Sequence, residues 1–321
     1  MQFLDAATIN RAMNYKALVE ALRQAFQARY VTPVRHHHTI SLPDQSDATL
    51  LLMPAWSDAQ ANGTSYNGYI GIKMVTVFPD NEVRVSLPSI LGAYFLLDQQ
   101  SGTVRAIMDG PSLTVWRTAC ASALAADYLA RKDAKTLTMV GTGALSEHLI
   151  RAHMSVRDIR RIIIWGRNKG KAERVAAGLD GLDVTIEVAD DRAKAVAEGD
   201  IISCATMATQ PLIDGAWLKP GAHLDLVGAF RPDMRESDDQ CITRAEVYLD
   251  TIAGATKEGG DIVQPLQTGI LEPDDIRGDL FGLTQGKCKG RVRDEDITLF
   301  KSVGTAIEDL AAARYIYEQM T

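Results

Sequence analysis

The residues best suited to chemistry stand at Gly141-Thr142-Gly143-Ala144-Leu145-Ser146, a G-x-G-x-x-G/A pattern with serine in the last place. The pattern follows an apolar run, TMV, and opens a segment of helical character. In a strand-turn-helix of this kind the first glycine permits the tight turn and the second lets backbone approach a pyrophosphate. The helix start adds N–H groups and a partial positive charge. Gly141, Thr142, Gly143, Ala144 and Leu145 are therefore expected against a dinucleotide, the alternative being an ordinary glycine turn. Which dinucleotide is decided at the end of the next strand, where an acid would bind the ribose 2′-OH of NAD. Here RIIIW runs into Gly166-Arg167-Asn168-Lys169, with no carboxylate. Arg167, with Asn168 beside it, suits a 2′-phosphate through paired charge-assisted bonds. NADPH is expected, with NADH possible.

Other reactive residue types carry less. His36-His37-His38 invites a metal, but consecutive residues on an extended segment alternate faces and converge poorly on one ion. One of the three could line a pocket and titrate near neutral pH, or all could be solvated. The four cysteines, Cys120, Cys204, Cys241 and Cys288, form no C-x-x-C pair. Neither a zinc knuckle nor a disulfide framework is expected, and a reducing cytoplasm fits. Cys204 reads as a small core residue. Thr118 stands at a possible helix start, where it serves a cofactor phosphate or caps the helix. No metal site is expected.

The elements that must position these residues fall into two patterns. Leu18, Leu22 and Phe26 recur every four residues, which predicts an amphipathic helix from Asn14 to Tyr30. Strands follow at Thr49–Met53, Tyr69–Phe78, Leu91–Asp98 and Thr103–Met108, separated by Asn-Gly, Pro-Asp-Asn and Ser-Gly turns, so a mostly antiparallel module is expected. Ser112–Leu129 reads as one long helix. From Thr136 strands and helices alternate, through TLTMV, RRIIIW, LDVTIEV, DIISCAT, HLDLVG and EVYLD. Alternation of that kind argues for a parallel sheet covered by helices, an α/β Rossmann arrangement. A last helix runs over Thr305–Glu318. Within it Asp309 is explained by packing or an i,i+4 contact as well as by catalysis, and it is left out of the expected site.

The chain of 321 residues, 46% hydrophobic and 23% charged, is long enough for two cores. Its net charge of −7 gives no reason to expect nucleic acid or an anionic membrane as partner. The first residues lack a basic stretch ahead of an apolar core, and no run approaches a membrane span.

The stretch MDGPSLTVWRTACASALAADYLA, the glycine turn and LVGAFRPDMRESDD together resemble the ornithine cyclodeaminase and mu-crystallin family. The resemblance covers nearly the whole chain. It implies a substrate and dimerisation domain built from both chain ends, residues 1–118 with 303–321, beside a Rossmann domain, residues 119–302, in a homodimer. It places three cations, Arg35, Lys73 and Arg117, on the family's substrate-carboxylate positions, with Lys73 also able to supply a proton. The chemistry agrees, since an imino acid carries its carboxylate beside the carbon that receives hydride. It also implies that Ala205 and Thr206 lie near the cofactor. Family cyclodeaminases carry an aspartate where this chain has Phe230, and Phe230 can neither accept a proton nor bind an ammonium by charge. The implied activity is reduction of a cyclic ketimine acid, Δ1-pyrroline-2-carboxylate or Δ1-piperideine-2-carboxylate, with Phe230 against its apolar body. Ornithine cyclodeamination, reductive amination of a keto acid and simple NADPH binding are the other activities the family leaves open.

Overall fold

A computed structural model describes residues 1–58 and 68–320. It divides into two compact units, Met1–Arg117 with Thr305–Thr321, and Thr118–Gly304. Of the Asn-Gly signals expected ahead of Tyr69, Asn62, Gly63 and Asn67 lie outside the described residues.

The first unit is built on a sheet of seven described strands: β1 (Gln2–Leu4), β2 (Tyr30–Val31), β3 (His36–Ile40), β4 (Ala48–Ser57), β5 (Tyr69–Val77), β6 (Ile90–Asp98) and β7 (Val104–Asp109). The order is β1-β7-β6-β5-β4-β2, with β3 also on β4. All pairings are antiparallel except β1 with β7. Because alternate side chains share a face, Gly71 and Lys73 of β5 are both buried on the same side. Two helices cover strands of this sheet or each other, Tyr15–Gln27 and the final helix Ala306–Met320. The first begins at Asn14, whose side chain accepts from the backbone of Ala17 and caps it. The final helix buries Glu308 and Asp309 along with its apolar residues, so two charges enter a core that its alanines keep close to the strands.

The second unit carries an all-parallel sheet of β8 (Thr136–Val140), β9 (Arg161–Trp165), β10 (Thr185–Val188), β11 (Ile201–Cys204), β12 (His223–Leu226), β13 (Ala245–Leu249), β14 (Ile276–Asp279) and β15 (Ile297–Lys301). Its order is β10-β9-β8-β11-β12-β15-β13-β14. The chain direction of strand addition therefore reverses between β8 and β11, the point where open α/β sheets bind ligands. Strands buried on both faces read as continuous apolar runs, which is why Ile162, Ile163 and Ile164 stand together in β9. The last strand, β15, is inserted between β12 and β13, and the sequence pattern did not announce it.

The core of this unit also holds buried polar groups. The buried carboxylate of Asp225 accepts from Ser122 at 2.8 Å and Ser203 at 2.7 Å and meets His153 at 3.2 Å. A buried charge is tolerable only with partners of this kind.

Candidate active site

Lys73 points into the first unit and is almost fully buried, 3% exposed. Its ammonium lies 2.8 and 3.0 Å from the two carboxylate oxygens of Asp309. Asp309, fully buried, also stands 3.0 Å from Nε of Arg117, whose Nη1 donates to Glu308 at 2.6 Å. Adjacent residues on the final helix thus bind two cations, one from β5 and one from the helix Gly110–Leu129. Tyr94, opposite Lys73 across the β5–β6 ladder, is also buried, and its hydroxyl occupies the space a Cβ on Gly71 would need. Gly71 is small so that this ring can fit.

The electrostatics of the cluster set the state of Lys73. Burial favours the neutral amine, and the positive charge of Arg117 adds to that; Asp309 opposes both. Because Asp309 is shared between two cations, burial wins, and the Lys73 ammonium is lowered from 10.5 to about 8. Arg35 contributes a smaller depression of the same sign, so its charge acts on Lys73 as well. The four paired groups balance one another, two positive against two negative. Arg35 is half-buried. A group that titrates near 8 and is held by a hydrogen bond can exchange a proton with a bound substrate at physiological pH.

Among the sequence-expected site residues, Lys73 and Arg117 are brought together through Asp309, whose ion-pair partners lie on β5 and on the helix Gly110–Leu129 and not one turn away on its own helix. No local signal marked Asp309, since a carboxylate in an alanine-rich helix is usually solvated. The three histidines lie exposed along β3, paired to Leu50–Leu52 of β4. Among the described residues no group of three or more His, Cys, Asp or Glu is placed to hold a metal.

In the second unit the glycine turn follows β8. Gly141 has φ of +130°, and a Cβ there would stand 2.5 Å from the carbonyl of Ala205, so only glycine fits. Gly143 differs: a Cβ on it would meet nothing within 4 Å. Packing gives no reason for glycine at that place, whereas close approach of a ligand to backbone does. The following helix, Leu145–Val156, has no side-chain cap at Ala144, although the N–H of Ser146 is bonded to the carbonyl of Gly143 at 3.1 Å; a helix start of this kind suits an anion. Ser146 Oγ donates to the carbonyl of Gly141 at 3.0 Å and closes the turn from inside. These features fit a dinucleotide pyrophosphate.

Arg167 is exposed just beyond β9, and Asn168 caps the helix Lys169–Ala177 through a 3.0 Å bond from Lys171 N–H. Lys169 pairs with Asp190 at 2.7 Å. At the ends of β11 and β12, Ala205 and Thr206 form one turn and Gly228, Ala229 and Phe230 the next, with Phe230 half-buried. Thr118 is buried. Cys204 is buried and its thiol pushed far up by desolvation, which makes it inert.

A Rossmann sheet with a glycine turn in the second unit, and in the first a buried lysine held with an arginine by two carboxylates, define a dinucleotide-dependent class of protein. The model of the ornithine cyclodeaminase/mu-crystallin family matches residues 1–321, and the chain belongs to that family. It is 38% identical to Protein SAR DEFICIENT 4 of Arabidopsis thaliana, over 98% of this chain and 96% of that one. It is 36% identical to the Δ1-pyrroline-2-carboxylate reductase of Colwellia psychrerythraea, over 100% of this chain and 99% of the relative. Its structure matches that of the Thermococcus litoralis Δ1-pyrroline-2-carboxylate reductase in complex with NADH and L-proline, with a TM-score of 0.89 at 29% identity, covering 99% and 97% of the two chains.

Proposed function

We propose that this chain is an NAD(P)H-dependent imine reductase that converts a cyclic ketimine acid, Δ1-pyrroline-2-carboxylate or Δ1-piperideine-2-carboxylate, to L-proline or L-pipecolate. The observation that carries the reading is the buried Lys73 held by Asp309 and poised near 8. A cyclic imine must be protonated at nitrogen to accept hydride at carbon, and a donor of this strength transfers its proton without a large penalty in either direction. When bound, NADPH supplies the hydride. Lys73 donates one N–H to Asp309 Oδ1 and is ion-paired with Oδ2, and its ammonium has further N–H groups with which to serve the substrate nitrogen. Arg35 and Arg117 orient the carboxylate through charge-assisted hydrogen bonds. Phe230 offers an apolar wall to the ring methylenes and has no carboxylate with which to handle a free amine, against cyclodeaminase chemistry.

Thr118, Gly141–Leu145, Ala205 and Thr206 bind the cofactor. The exposed Arg167, with Asn168, favours NADPH over NADH because no acid stands there to repel a 2′-phosphate. The chain acts as a homodimer through its first unit, which exposes Val83, Val85, Leu87 and Ile90 close together in sequence. Among the described residues no helix is long and apolar enough to cross a membrane. Four free cysteines fit a cytoplasmic setting.

The test is oxidation of NADPH and NADH by the purified protein, with Δ1-pyrroline-2-carboxylate, Δ1-piperideine-2-carboxylate and pyruvate plus ammonia in parallel. Faster turnover with a cyclic imine and NADPH is expected. Release of ammonia from ornithine with NAD, and no turnover of either imine, would overturn the reading.

A further inference from the structure

One buried carboxylate holds two turns of the second unit together. Glu236 Oε1 accepts from the backbone N–H of Thr206 at 2.6 Å and from its hydroxyl at 2.9 Å. Its Oε2 accepts from the N–H of Gly228 at 2.7 Å and of Ala229 at 3.1 Å. Each oxygen therefore serves a different turn, one after β11 and the other after β12. The turns are also in tight contact: a Cβ on Gly228 would fall 2.0 Å from the carbonyl oxygen of Thr206. Behind Glu236, Asp261 Oδ1 accepts from the backbone of Glu236 and Ser237, both at 2.9 Å, and Asp261 Oδ2 lies 3.2 Å from the Lys301 ammonium. Lys301 stands 3.9 Å from Glu236, and all three side chains are fully buried.

Such an arrangement is costly. Burial pushes the Glu236 carboxyl up to about 7 against the pull of Lys301 and the donors of Thr206, and well-packed apolar residues hold a core at least as firmly as a buried ion group. The ladder between β11 and β12 already joins the strands themselves. What the ladder leaves unfixed is the spacing of the turns beyond it, at the carboxyl edge where open α/β sheets bind ligands.

We infer that Glu236 is a positioning residue for hydride transfer, fixing the Ala205–Thr206 turn against the Gly228–Phe230 turn so that cofactor and substrate wall keep one spacing. The inference rests on the imine reductase reading for its kinetic consequence, and on the nucleotide site alone for its effect on binding. Glu236→Gln keeps volume but has a single carbonyl oxygen, so one turn loses its acceptor and faces an NH2 group instead. Gly228→Ala keeps the carboxyl group and its charge but adds a Cβ 2.0 Å from the carbonyl oxygen of Thr206 and 2.5 Å from Glu236 Oε1, so it forces apart the same turns by volume alone.

Both variants, made in the full chain, are compared with the wild type for NADPH affinity by cofactor fluorescence, for kcat and KM with Δ1-pyrroline-2-carboxylate, and for melting temperature. In each, kcat should fall about a hundredfold, the cost of roughly an ångström of misplacement. NADPH Kd should rise about tenfold, while KM for the imino acid, set by Arg35, Lys73 and Arg117, stays within about threefold. A purely structural role would lower the melting temperature and leave kcat and NADPH affinity of the folded protein unchanged, which would overturn the inference. If the wild type reduces no imine, the reading of its activity fails separately. NADPH affinity then decides for Glu236: a tenfold loss in both variants supports it and an unchanged Kd in either overturns it.

Discussion

Asp309→Asn is the sharpest test of the cationic cluster, because it removes charge while nearly keeping shape. In the wild type the carboxylate touches Lys73 at 2.8 Å and Arg117 at 3.0 Å with no exposure to solvent. Removing one partner from a buried ion pair costs about 3–5 kcal/mol. Glu308 remains on Arg117 at 2.6 Å, which places the cost near the lower end, about 3 kcal/mol. At ~2–4 °C per kcal/mol, the melting temperature should fall by roughly 6–12 °C. The effect on activity follows from the sign of the Lys73 shift. With its opposite charge gone, the ammonium loses a further ~1–3 pH units of support, so it deprotonates near pH 7 or below instead of about 8. Reduction needs the protonated form, so the alkaline fall in kcat/KM should move down by at least about one pH unit. Stability has its own pH dependence. Between about 8 and 10.5 the unfolded lysine holds a proton that the folded one lacks, so wild-type stability rises with pH through that window, and in the variant the rise begins lower. NADPH oxidation followed across neutral and mildly alkaline pH, with thermal melts at the same values, reads both effects. An alkaline limb and a melting temperature equal to the wild type's would show that Asp309 does not hold the Lys73 proton, and the account of the cluster would fail.

Lys73→Met should lower kcat for imine reduction by about 10²–10⁴-fold while NADPH still binds; an active Met variant would remove Lys73 from the chemistry. Gly141→Ala should abolish measurable nucleotide binding, because its φ of +130° and the carbonyl of Ala205 at 2.5 Å leave no room for a methyl; titration with NADPH and NADH checks this, and retained affinity would mean the turn is not the pyrophosphate site. Arg167→Asp should reverse the cofactor preference toward NADH by about tenfold or more, as the acid repels a 2′-phosphate and accepts from a ribose hydroxyl; the ratio of kcat/KM for the two cofactors reports it, and an unchanged ratio would assign the choice to other residues.

The nucleotide unit was legible because its signals are local. A parallel strand buried on both faces must be an apolar run, as in Ile162–Ile164, and a backbone at positive φ against a neighbouring carbonyl must be glycine, as at Gly141. Each requirement is met within a few residues, so it appears as pattern. Short strands such as β1 and β2 gain order only from the neighbours they pair with, and β15 owes its place between β12 and β13 to a crossover that no local periodicity encodes. The site divides in the same way. Arg35, Lys73 and Arg117 were expected only through the family resemblance, since each alone reads as a surface charge, and a lysine's protonation depends on what surrounds it. Asp309, 236 residues away, supplies that partner, as Glu236 supplies the acceptor for turns that carry no mark of needing one. Residue types and spacing determined which cations and glycines were available. Burial and long-range pairing decided their charge states and spacing, because electrostatic energy depends on distance and desolvation in space and not on separation along the chain.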